Sequence, residues 1–357
     1  MKFNVPYIPH AGYTDFLAGI AGHLDTVHFS LHTGPPLDSR MRFNQVDTRQ
    51  LAEGLARIRG PLKYCLLNTR FIRPDLYDDP KFFTRLLASL EILKSCHCLD
   101  GIVFCDFYFL ARLSREGGSF MSDIQAIPGV NAMLDSSDKV MACLDIIDTT
   151  HFRPPGKLCL DRSLNRNIPA LEQTGRQLRN HFPGIRLELL ANEGCLYQCP
   201  FKPAHDVHIA LSNTGLVREK TFEINRDAGC MPVLFNHPDK IFKSPFIRPE
   251  DVRCYEGLAD VLKLCGRTLG PGFMEKTISA YIRGDWSGNL LEILDAMEWM
   301  SGSFHVDNPL LGKDFLKTLT NCSKDCRVCS ICSSLMNLTT KRKQPVLSRY
   351  KDEACKF

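Results

Sequence analysis

Arg186–Cys199 reads RLELLANEGCLYQC. Its first half is a short apolar run with the length of a buried strand, and its second half turns through Asn192-Glu193-Gly194 into a loop carrying Cys195 and Cys199. Similar runs recur along the chain at Phe3–Ile8, Thr26–Leu31, Leu62–Asn68, Gly101–Asp106, Val130–Leu134, Lys157–Asp161 and Asp260–Cys265. Helix-like segments lie between them, among them Thr48–Arg59, Phe82–Cys96, Leu171–Phe182 and Arg248–Gly257, the last with Pro249 ahead of Glu250 and Asp251. Alternation of this kind builds parallel sheets, and eight strands predict a closed (β/α)8 TIM-like barrel. The C-terminal ends of barrel strands carry the chemistry, which places Cys195 on the catalytic face.

The 357 residues suit one barrel of about 250 residues with an appendage. Residues 1–270 are read as the barrel, including a cysteine-bearing loop layer over its mouth at 195–245. That stretch is too long for a simple connection. Residues 271–357 are read as a C-terminal extension, with helices at Phe273–Ile282 and Asn289–Met300 and an irregular cysteine-rich tail from Ser301.

Hydrophobic content of 44% with 24% charged residues is that of a soluble globular chain, and no apolar run approaches the ~20 residues of a membrane span. The N-terminal MKFNVPYIPHAGYTD lacks the pattern of a secretory signal, so the expected compartment is the cytoplasm. There, 16 cysteines are available as thiolate ligands. A net charge of +4 gives little support for a nucleic-acid partner, and the Lys341-Arg342-Lys343 cluster reads as a solvated tail.

Near the C-terminus, Cys322, Cys326, Cys329 and Cys332 stand three, two and two residues apart in a polar segment. One loop can wrap a metal centre with such spacing, and soft thiolates select zinc or iron–sulfur clusters. A [4Fe-4S] cluster is the expected occupant, with structural zinc as runner-up. The first three cysteines also match the run of radical S-adenosylmethionine enzymes. Against that reading, the run comes late in the chain, Cys332 offers a fourth ligand, and Val328 replaces the usual aromatic. The second constellation is Cys195 and Cys199, stiffened by Pro200, with Cys230 further on. A fourth ligand there is sought among His205, Cys254, Cys265 and the tail.

At these residues the sequence resembles the peptidase U32 family, in its short bacterial and archaeal branch. The resemblance is carried by LLANEGCLYQCPFKPAH, the AGC ending at Cys230, KSPFIRPED from Lys243 to Asp251, VLKLCGR ending at Arg267 and GNLLEILD at Gly288–Asp295. It implies a barrel holding a [4Fe-4S] cluster on cysteines and supporting oxygen-independent hydroxylation of a small molecule or of RNA bases. Cys195, Cys199 and Cys230 match the family's cluster cysteines, and the fourth does not map.

The expected activity is accordingly an iron–sulfur-dependent, anaerobic hydroxylation or related redox modification. The alternatives are a non-catalytic electron-transfer or partner subunit of a U32-like complex, and a collagenase-like peptidase as the family name implies. Expected partners are an anionic small-molecule substrate, a second U32-like subunit and an electron donor. Arg162, Arg166, Arg248 and Arg267 are the candidate substrate-binding cations, because guanidinium forks match carboxylates. Asp106, Asp161 and Glu193 are the candidate general bases. No H-E-x-x-H helix, G-x-S-x-G elbow or thiol-protease signature is present.

Overall fold

The computed structural model describes residues 1–32, 34–40, 46–217 and 221–343. The end of the C-terminal extension read from the sequence, 344–357, and part of the loop after the second strand lie outside the described residues. Eight parallel strands form one sheet: β1 (Lys2–Pro6), β2 (Leu24–Ser30), β3 (Leu62–Leu67), β4 (Gly101–Phe104), β5 (Gln125–Pro128), β6 (Lys157–Cys159), β7 (Arg186–Leu190) and β8 (Val261–Lys263). The order β5-β4-β3-β2-β1-β8-β7-β6 carries the sheet around the barrel. Arg153 closes the remaining gap, its carbonyl accepting from Ala126 N (3.1 Å) and its N–H donating to Ile124 O (3.0 Å). The expected TIM-like barrel is therefore the observed fold.

Side chains of period two divide the strands between two cores. Val5, Val27, Phe29, Cys65, Ile102, Phe104, Ala126, Leu158, Leu187 and Leu262 join the large core beneath the helices, while Tyr64, Leu66, Val103 and Ile127 form a separate cluster. Alternating positions of the other strands bury polar groups. Lys157 Nζ lies 2.8 Å from Asp25 and 2.7 Å from Glu188, and Asn4 donates to Glu188 at 2.7 Å. With that amide committed, only the Asn4 carbonyl is left to accept, so His28 Nδ1 carries the proton of their 2.8 Å contact. Burial, then Lys263, Arg267 and Lys157, hold His28 well below its usual pKa, and it stays neutral.

Helix starts follow from their caps. Asp47 accepts from Arg49 N and Gln50 N ahead of Thr48–Ala56, and Asp79 with Pro80 opens Pro80–Ser95. Seven strands overlap the sequence reading; the fifth does not. Val130–Ala132 is a 3₁₀ turn, and the true strand, Gln125–Pro128, begins five residues earlier. The loop layer folds into short helices at Lys202–Thr214, Thr221–Asp227 and Cys230–Asn236. Asn289–Met300 is not a helix but two 3₁₀ turns, Leu290–Ile293 and Glu298–Gly302, around a bridge from Asp295 to Glu193. Nor is the tail irregular: β9 (Phe304–Val306) pairs antiparallel with β10 (Thr340–Arg342), and Phe315–Thr320 and Ile331–Thr339 are helical.

Candidate site at the barrel mouth

The strand ends converge on a dense set of charges. Arg162, after β6, pairs with Glu193, after β7, and both are buried. Arg40, from the loop after β2, bonds Glu193 (3.2 Å) and Asp295. Arg267, after β8, pairs with Asp38, which also accepts from Ser30 and from Arg40 N (3.1 Å). Arg70, after β3, and Lys202, from the loop layer, share Asp206 at 2.5 and 2.8 Å. Burial and then Arg162 push the Lys202 ammonium below its ordinary pKa, with Asp206 opposing.

The cysteine loop hangs on this frame. Gly194 N donates to Asp295 O (2.7 Å), and a Cβ at Gly194 would stand 2.9 Å from that same oxygen. Glycine is required here by close approach of two backbones, not by an unusual φ. The left-handed residue of the loop is Gln198 (φ 49°), between the two thiols. Cys195 and Cys199 line a small cavity of about 170 Å³ with Asp161, Arg162, Ser163 and Lys202. Cys230 opens its helix, and burial followed by the Cys199 thiol raises its pKa.

The candidate fourth ligands separate. Cys265 is half-buried at the mouth, its N–H donating to Asn192 Oδ1 (2.7 Å), and desolvation followed by Asp295 raises its pKa well above the ordinary thiol value. Cys254 is exposed on the turn Pro249–Tyr255 and lines a different cavity, with Arg248 and Trp286. His205 Nε2 accepts from Asn225 at 2.8 Å. The tail quartet Cys322, Cys326, Cys329 and Cys332 lines a further cavity, which shares Leu196 and Tyr197 of the cysteine loop. Burial, with Lys243 opposing and Cys322 reinforcing, pushes the Cys332 thiol up to about 11. Among the described residues, no three Cys, His, Asp or Glu side chains stand at metal-ligand spacing.

The remaining candidates take distinct places. Asp161 caps the turn after β6 through Ser163 N (2.8 Å) and faces the small cavity. Asp106 caps Phe107–Gly117 through Tyr108 N and Phe109 N and accepts from Tyr77 Oη, so its oxygens are engaged. Glu193 is engaged by two arginines. Arg248 is not at the mouth: it pairs with Asp251 (2.8 and 3.0 Å), donates to Gly312 O (2.9 Å) and stacks on Phe315 at 4.4 Å. Arg166 donates to Ser244 O, between Phe246 and Phe315. Sequence reasoning missed Asp38, Arg40, Arg70, Lys202, Asp206 and Asp295. Of these, Asp295 ends the GNLLEILD run and Lys202 stands in the cysteine motif, so a signal existed for both.

No protein-family model matches the chain. The U32 peptidase Mk0906, of known structure, aligns with 74% of this chain and 93% of its own at 15% identity and a TM-score of 0.49. The sequence is 29% identical over 246 residues to an uncharacterized protease of Methanocaldococcus jannaschii, covering 69% of this chain and 68% of that one. The chain is thus similar in sequence to that protease and aligns with a U32 peptidase of known structure. The cysteine loop, Asn192–Cys199, is the element that the mouth charges hold in place. No helix among the described residues is long and apolar enough to cross a membrane.

Proposed function

We propose that this chain is a U32-type iron–sulfur enzyme catalysing an oxygen-independent hydroxylation or related redox modification of a small molecule or RNA base. One observation carries the reading: Cys195 and Cys199 stand together at the mouth against Arg162 and Lys202. Soft thiol donors suit iron–sulfur clusters. The donors fit in kind and in side of the barrel. Ligation requires the loop to draw Cys195, Cys199 and Cys230 together, with Cys265 the best-placed fourth thiol.

When bound, such a cluster supplies one-electron chemistry and, at an iron not ligated by protein, a Lewis acid. The chain's own residues do the rest. Arg40, Arg162, Arg267 and Lys202, each balanced by a carboxylate, offer N–H donors to polar substrate groups at the mouth. Their carboxylate partners fix each fork in place before substrate arrives. Asp161 faces the cavity with its cap bond on one oxygen, leaving the other to accept a substrate proton.

The test is comparative mass spectrometry of metabolites and RNA from cells lacking the gene. A compound or base one oxygen atom lighter than its normal counterpart accumulates, and Cys195→Ala fails to restore the mature form. Restoration by Cys195→Ala contradicts the proposal.

A further inference from the structure

On the far side of the cysteine loop lies a cavity of about 530 Å³, closed by the C-terminal extension. That volume is in the range of small-molecule pockets. Its body is apolar, built by Leu196, Phe201, Val233, Phe242, Leu319 and Ile331. Its charges are one-sided: Arg166, Lys240, Lys243 and Lys324 against the single carboxylate of Asp239.

Arg166 shows what this imbalance is for. Three arginines of the chain's described residues are buried: Arg162, Arg166 and Arg248. Glu193 neutralises Arg162 and Asp251 neutralises Arg248. Among the described residues no carboxylate pairs with Arg166, which is 4% exposed. Its Nε and Nη2 donate to the Ser244 carbonyl (3.1 and 2.9 Å), the rings of Phe246 and Phe315 lie 5.1 and 5.6 Å from its guanidinium carbon, and Nη1 has no partner. A buried cation without an anion is costly, and a buried donor without an acceptor is rare. Both costs are removed by an anion entering the cavity.

We propose that this cavity is a second ligand site, distinct from the mouth, for a small organic anion with an apolar body. The carboxylate or phosphate head meets Lys243 and the Arg166 side of the cavity, and the body fills the space between Phe201, Phe242 and Leu319. Because Leu196 and Tyr197 belong to the same loop as Cys195 and Cys199, an occupant here presses on the backbone that presents those thiols. The site needs no metal at the mouth, so its test is independent of the function proposed above.

The probe is 8-anilinonaphthalene-1-sulfonate, titrated into the full chain and followed by fluorescence. Saturable binding at one site is expected. Benzoate and phenyl phosphate displace the probe, the stronger of the two identifying the headgroup, while neutral benzyl alcohol at the same concentration does not. Lys243→Ala weakens binding about fivefold or more, as loss of one charge-assisted contact does. Val233→Trp, which fills the cavity, abolishes it. Arg166→Gln is avoided as the primary variant, since a buried arginine supports the fold. Non-saturating binding, equal displacement by benzyl alcohol, or unchanged affinity in Lys243→Ala overturns the proposal. So does loss of the probe when zinc or iron loads Cys322–Cys332, because the cations would then serve a metal–thiolate centre.

Discussion

Arg40 reaches across the barrel mouth to pair with Asp295, 255 residues further along the chain. The contact ties the loop after β2 to the C-terminal segment, and through the Gly194–Asp295 backbone bond it also fixes the cysteine loop. Burial raises the Asp295 carboxyl, but Arg40 and the Cys265 hydrogen bond outweigh it and the net shift is downward. Asp295 is thus ionised at neutral pH and anchors three elements at once.

Glu193 tests how far the mouth depends on its ion pairs. Glu193→Gln removes the charge facing buried Arg162 and is expected to lower the free energy of unfolding by about 3 kcal/mol. Urea denaturation of the two proteins measures it. A change within experimental error would show that Arg162 does not depend on this partner.

Gly194→Ala probes the backbone approach. The added Cβ meets the Asp295 carbonyl oxygen at 2.9 Å and the Met297 side chain. Overpacking of this kind costs about 1–3 kcal/mol. The melting temperature should fall, and Cys195 and Cys199 should react faster with a thiol reagent as the loop detaches.

Acid stability should depend on the polar group at the base of the barrel. Burial alone raises the Glu188 carboxyl, but Lys157 and Lys263 more than compensate, and its pKa is lowered; burial likewise raises Asp25, and Lys157, Thr26 and Arg186 outweigh it. A carboxyl depressed in the folded state contributes stability above its unfolded value, and that contribution is lost as pH falls through the folded one. Stability should therefore hold from pH 7 to about 5 and decline below about 4.3, the unfolded value for glutamate. Glu188→Gln should be less stable at pH 7 by on the order of 3 kcal/mol and decline less steeply in acid.

Arg248 distinguishes a structural arginine from a substrate-binding one. Its partners are Asp251, Gly312 O and the Phe315 ring, which clamp the C-terminal extension to the barrel. Arg248→Met should open the chain beyond residue 270 to limited proteolysis while leaving the metal content of the mouth unchanged. Loss of mouth metal with normal protease resistance would reverse that assignment.

Much of this was legible in the sequence, for physical reasons. Strands such as Gly101–Phe104 are continuous apolar runs, as burial on both faces demands, whereas β5 opens on Gln125 and ends in Pro128, so the apolar turn that follows stands out in its place. The extension misled in the opposite direction. Phe304–Val306 and Thr340–Arg342 are three residues each, and they pair only because the helices between them bring them together. At the mouth, Arg162, Glu193 and Arg267 follow strands directly and could be placed. Asp38 and Arg40 sit in a long loop whose geometry no local pattern encodes.

The most direct test of the central claim is iron and sulfide analysis with an EPR spectrum, after anaerobic purification of the wild type, Cys199→Ala and Cys326→Ala. A mouth cluster predicts bound iron and sulfide and a reducible signal in the wild type, lost in Cys199→Ala. Zinc without iron in the wild type, or iron unchanged in Cys199→Ala but absent from Cys326→Ala, would contradict it.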